Sequence, residues 1–80
     1  MRVEGSCRGI DGSTYRYIVE VYASLGDLVI EGTVWVDELA AAYPYHAMPD
    51  ASRDDMARQA AARTWIRHFI TTRFGTELEP

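Results

Sequence analysis

The chain has no lysine, a single cysteine and no long hydrophobic run, and each absence narrows what it can be. Cys7 alone cannot form an internal disulfide, and no cationic start followed by an apolar stretch reads as a signal peptide, so the cytosol is the expected compartment. A bilayer-spanning helix needs roughly 20 apolar residues. The most apolar stretch, residues 17–36, is interrupted by Glu20, Asp27 and Glu31, so no membrane role is expected. At 80 residues there is room for one core, and the expected organisation is a single domain over residues 1–75 with a frayed tail at 76–80.

Motifs that dictate chemistry are also missing. Cys7, His46 and His68 are the only thiol and imidazoles, and they lack the paired spacing of a zinc site. A nucleophilic cysteine needs a base beside it; Cys7 reads instead as a small core residue, and both histidines read as exposed. Glu20 and Glu31 are candidate cross-strand neighbours, but an open sheet surface offers no pocket to raise a carboxyl pKa for acid–base work. Gly9 and Gly12 fall in a hairpin, outside the strand-to-helix context of a phosphate loop. The expectation is a non-enzymatic protein with no catalytic residue, metal or cofactor.

What is present is patterning. Residues 2–8 alternate, with Val3, Gly5 and Cys7 on one side, as a half-buried strand requires. Asp11 and Gly12 supply a hairpin turn, residues 14–22 are rich in aromatic and β-branched side chains, and Ser24, Gly26 and Asp27 signal a second turn before alternation resumes over 28–36. Tyr15, Tyr17, Val19 and Val21 share an inner face with Leu28, Ile30, Val34 and Val36. Asp37 is then expected to cap a short helical turn through Glu38 and Ala42, ended by Pro44, and 43–49 to form a loop. Ser52 and Asp55 have the spacing of a capping box, and Ala62, Trp65, Ile66, Phe69 and Ile70 fall on one stripe of a helix from about 53 to 74, closed by Gly75. The predicted fold class is α+β: a three-stranded antiparallel meander packed on one long C-terminal helix, with a short helical turn between them.

Charge is divided along this layout. Residues 1–55 carry ten acids against four arginines, and residues 56–80 carry two acids against four arginines. The outer sheet face collects Ile18, Tyr22, Val29 and Trp35 among Glu4, Glu20 and Glu31, with Asp37 and Glu38 beside it. Tyr and Trp anchor interfaces, and the acids select a basic partner. Glu4, Ile18, Glu20, Tyr22, Glu31, Trp35, Asp37 and Glu38 are therefore the candidate partner-binding residues. Two alternatives stand beside this reading. The outer face could be covered, by residues 37–49 or by a second copy in a homodimer, or Arg63 and Arg67, one helical turn apart, could grip nucleic acid or an acidic surface. Direct nucleic-acid binding is the weaker of these, since a net charge of −4 opposes phosphate affinity.

The meander over 2–36, the helix over 52–74, the small size and the acidic balance together resemble the small phage-encoded inhibitors of bacterial defence, the anti-CRISPR proteins. That resemblance implies stoichiometric inhibition in the cytosol of a bacterium or infected host. Acids such as Glu4, Glu20, Glu31, Asp37 and Glu38 would occupy arginine- and lysine-rich surfaces that a CRISPR surveillance complex uses for nucleic acid.

Overall fold

The computed structural model describes residues 1–51 and 54–80. Its elements run β1 (Arg2–Arg8), β2 (Thr14–Ser24), β3 (Asp27–Val36), β4 (Leu39–Ala42), β5 (Tyr45–Pro49) and α1 (Asp55–Phe74). The α+β class and the antiparallel meander on a C-terminal helix are as the patterning requires. The meander, however, continues past β3.

Two-residue turns set its course. Ser24 pairs Asp27 across Leu25 (φ 51°) and Gly26 (φ 85°). Val36 pairs Leu39 across Asp37 (φ 48°) and Glu38 (φ 71°). Left-handed backbone at both central positions is the type I′ hairpin, whose twist matches that of the strands it joins. The expected helical turn over 38–42 is therefore a hairpin and a strand. Asp37 caps no helix: its Oδ1 accepts from Thr14 N at 2.9 Å while its own N–H donates to Thr14 O at 2.9 Å.

Of the expected loop over 43–49, only Tyr43 and Pro44 are connection; residues 45–49 are a strand as well. β5 pairs β3 from Glu31↔Tyr45 to Asp27↔Pro49, and β4 pairs the other end of β3. The register slips by one residue between Trp35↔Ala40 and Val34↔Ala42, which leaves Ala41 as a bulge. Between the two strands Gly32 N donates to Pro44 O at 3.1 Å, so residues 39–49 follow β3 along its whole length. Pro44 has no N–H to give, and it stands in the break between β4 and β5, where the ladder with β3 is interrupted. A Cβ on Gly32 would collide with the Ile18 carbonyl oxygen of β2, a backbone atom that cannot swing aside.

The core lies between the inner sheet face and α1. Val3, Tyr15, Tyr17, Val19, Val21, Leu28, Ile30 and Val34 are buried against Ala62, Ile66 and Ile70. The helix starts at an N-cap Asp54, whose Oδ1 accepts from Ala57 N at 2.8 Å, and ends at left-handed Gly75. The capping box expected at Ser52 and a helix start at Arg53 lie outside the described residues. Gly5 leaves room for the Tyr17 phenol, since a Cβ there would stand 2.6 Å from its oxygen.

The tail at 76–80 is not frayed. Gly9 bridges Leu78, Ile10 N donates to Glu77 O, and Glu79 N donates to Arg8 O at 2.8 Å, so the tail is laid against the end of β1. Thr76 is buried and Leu78 half-buried against the core.

The Asp37-Glu38 turn gives a test with a sign. Glycine adopts left-handed backbone without the cost of about 1 kcal/mol borne by a side chain. Glu38→Gly should raise stability by about 1 kcal/mol in urea denaturation. In a helical turn the same change would lower it by about as much.

Candidate functional site: the acidic, tyrosine-rich outer sheet face

The antiparallel register decides which side chains meet on the outer face. Arg2, Glu20 and Glu31 lie in one row, and Tyr45 completes it from β5. The next row holds Glu4, Ile18 and Thr33, and the one after it Ser6, Arg16, Trp35 and Ala40. On the other side of Glu31 stand Tyr22, Val29 and Ala47. The strand over 39–49 thus runs beside the outer face and leaves it uncovered.

Glu20 and Glu31 are direct cross-strand partners, an arrangement of like charges that destabilises a sheet. Among the described residues no arginine lies within 4.0 Å of either carboxylate. Arg2, the cross-strand neighbour of Glu20, turns to Glu4 at 3.5 Å instead. What Glu31 has is a phenol: Tyr22 Oη donates to its Oε1 at 3.3 Å. Desolvation first, and then the charge of Glu31, push the Tyr22 phenol above its ordinary value.

Tyr43 and Tyr45 complete the group. With Glu20, Glu31, Gly32 and Pro44 they line an open hollow of about 440 Å³. Tyr43 is 74% exposed and Tyr45 65%, against 42% for Tyr22. Residues 43–49 read as a loop because proline dominated the pattern. The signal was nevertheless there, since Tyr43, Tyr45 and Ala47 alternate with Pro44, His46 and Met48 at the period of a strand.

Along the segment from β2 to β5 the sequence carries charge of one sign. Between Arg16 and Arg53 the chain holds Glu20, Asp27, Glu31, Asp37, Glu38 and Asp50 and no arginine or lysine. That segment supplies most of β2 and all of β3, β4 and β5. Comparison with family models, curated proteins and solved structures finds no match to the chain. Its function has to be read from this surface.

The candidate residues divide into two groups. Glu20 and Glu31 line the hollow, and Tyr22 joins them through its bond to Glu31. Trp35, Arg16 and Glu38 form a separate end, where the Arg16 guanidinium lies 4.1 Å from the Trp35 ring centroid and 4.0 Å from Glu38. Trp35 is half-buried there, and Asp37 is committed to its turn. Ile18 is half-buried between the two groups, and Glu4 is exposed beside it. Val29, only 4% exposed, adds little surface of its own.

The arginines of the helix stripe bond within the chain. Arg63 Nη1 donates to Glu4 O and to Tyr17 Oη, each at 2.9 Å, and thereby pins α1 to β1 and β2. Arg67 Nη2 donates to Glu79 O at 3.2 Å and holds the tail. His46, read as exposed, is on the inner face, half-buried and stacked on Trp65 with ring centroids 4.7 Å apart. Cys7 is half-buried; burial pushes its thiol up, with Arg67 opposing, which favours the poorly nucleophilic protonated form.

The Tyr22–Glu31 bond predicts a titration. Ultraviolet difference spectra against Tyr22→Phe should place this phenol above the ordinary tyrosine value of 10.0, and Glu31→Gln should bring it down. The folded phenol keeps its proton to higher pH than the unfolded one. Its contribution to stability is therefore full below that ordinary value and is lost as pH rises beyond it. A titration unmoved by Glu31→Gln would remove Glu31 as a cause.

Proposed function

We propose that this chain is a non-enzymatic, acidic binding protein that blocks a basic, nucleic-acid-handling protein by covering its cationic surface with the outer sheet face. One observation carries the reading: two carboxylates, Glu20 and Glu31, face each other with no arginine within 4.0 Å among the described residues, beside Tyr43 and Tyr45 and with Tyr22 bonded to Glu31. The pair lowers the stability of the free chain and is relieved when a cation enters. A guanidinium or ammonium group there would gain two charge-assisted hydrogen bonds and a cation–π contact of about 0.5–1 kcal/mol at such an exposed site. Tyrosine adds contact area at little entropic cost.

A surface evolved to bind phosphates carries lysine and arginine, and such a surface on a partner is the natural complement of this one. By the resemblance in layout, the proposed partner class includes CRISPR surveillance complexes, and the proposed action is stoichiometric inhibition. The same charges disfavour the alternatives. Nucleic acid would meet carboxylates on the outer face and arginines already bonded to backbone on the helix. A homodimer through the outer face would bring two copies of the Glu20–Glu31 pair into one interface, answered on that face by Arg2, already turned to Glu4, and Arg16, already stacked on Trp35.

The test is a comparison of captures from host cells. Wild-type protein should retain a basic partner that elutes between about 0.1 and 0.5 M salt. Glu20→Arg combined with Glu31→Arg should weaken that binding at least 100-fold, while Arg67→Gln leaves it within about twofold. Equal retention of the wild type and the charge-reversed variant would contradict the proposal.

A further inference from the structure

The hollow between Tyr43, Tyr45, Glu20 and Glu31 adjoins an open sheet edge, and the register determines what that edge presents. Gly32 N donates to Pro44 O and Asp50 N donates to Gly26 O, which places the even-numbered residues in hydrogen-bonded pairs with β3. The N–H and C=O groups of Tyr43, Tyr45 and Ala47 therefore point away from the sheet. At the opposite edge, β1 is occupied in part: Arg63 takes Glu4 O, and the tail takes Arg8 O and Ile10 N. Three of the exposed large apolar side chains, Leu39 at 75% together with Tyr43 and Tyr45, line the open edge. The Ala41 bulge ends the regular part of this edge on the β4 side.

We infer that the β4–β5 edge takes an extended, basic segment of the partner as a further antiparallel strand, with a lysine or arginine of that segment lying in the tyrosine-lined hollow. This rests on the binding function proposed above and specifies how the partner is held. In strand addition the main-chain bonds supply affinity, and alternate side chains reach the pockets of one face. Here that face holds Glu31 one strand from the edge and Glu20 two strands from it, with no lysine or arginine between Arg16 and Arg53 to repel a cation. The charge selects the occupant. A second copy pairing through this edge would bring the same acidic, tyrosine-rich row against itself, whereas a basic strand meets its complement.

The probe is an acetylated, amidated octapeptide of alternating lysine and threonine, used at millimolar concentration with the full chain and followed by amide exchange in NMR. The expected result is at least tenfold slower exchange at Tyr43, Tyr45 and Ala47, lost with the same peptide N-methylated at every residue, which keeps its charge but cannot pair. Glu20→Gln with Glu31→Gln should reduce the affinity at least tenfold. If both peptides bind equally and shift Glu20 and Glu31 without protecting the edge amides, strand addition is wrong and the binding face stands. If neither peptide binds, both are wrong. Slow exchange at the edge that rises with protein concentration in the absence of peptide would assign the edge to a second copy and overturn the inference.

Discussion

The pairing of residues 39–49 with β3 is the constraint on which the rest of the surface depends. Both turns that bracket β3 use left-handed backbone at two successive positions, and in the second those positions are Asp37 and Glu38, residues that bear a cost for it. The reciprocal bonds between Asp37 and Thr14 offset that cost and aim the chain back along β3. Had the segment turned as a helix, it could have folded across Tyr22 and Trp35 and hidden them. Laid beside β3, it widens the outer face, brings Tyr43 and Tyr45 up to Glu20 and Glu31, and leaves its own far edge open.

The two faces of the sheet divide the work. The inner face and α1 hold the fold together through apolar burial. Arg63 ties the helix to Tyr17 and the Glu4 carbonyl, and Arg67 ties it to the tail. The outer face carries an arrangement that a purely structural sheet would avoid, since like charges opposite one another oppose pairing. Tyr22 hydrogen-bonds Glu31 but cannot neutralise it. Sites that bind often retain local conflict of this kind, resolved by the ligand and not by the fold.

Much of this was legible in the residues. The alternation of Tyr15, Tyr17, Val19 and Val21 located the buried face of β2, and the 3.6-residue spacing of Ala62, Ile66 and Ile70 located the helix stripe. Glu20, Tyr22 and Glu31 were placed on one surface by period alone. What misled was local propensity. Leu39 and three alanines favour helix, but the open side of β3 offered backbone partners, and tertiary pairing overrode that preference. Pro44 masked the period-2 pattern of Tyr43, Tyr45 and Ala47, because a proline is excluded from the interior of a ladder but not from the break between two strands, where this one stands. Arg63 and Arg67 looked free because carbonyl acceptors at Glu4 and Glu79 lie far from them in sequence.

The central claim is that the outer face, and within it Glu20 and Glu31, meets the partner. Carboxyl footprinting tests it directly: the free chain and its complex with the captured partner are labelled with a carbodiimide and an amine, and modification is read residue by residue. The account predicts strong protection of Glu20 and Glu31 in the complex, with Asp11, Asp54 and Asp55 labelled as in the free chain. Protection of Asp54 and Asp55, with Glu20 and Glu31 labelled at their free rate, would contradict it and move the interface to the helix.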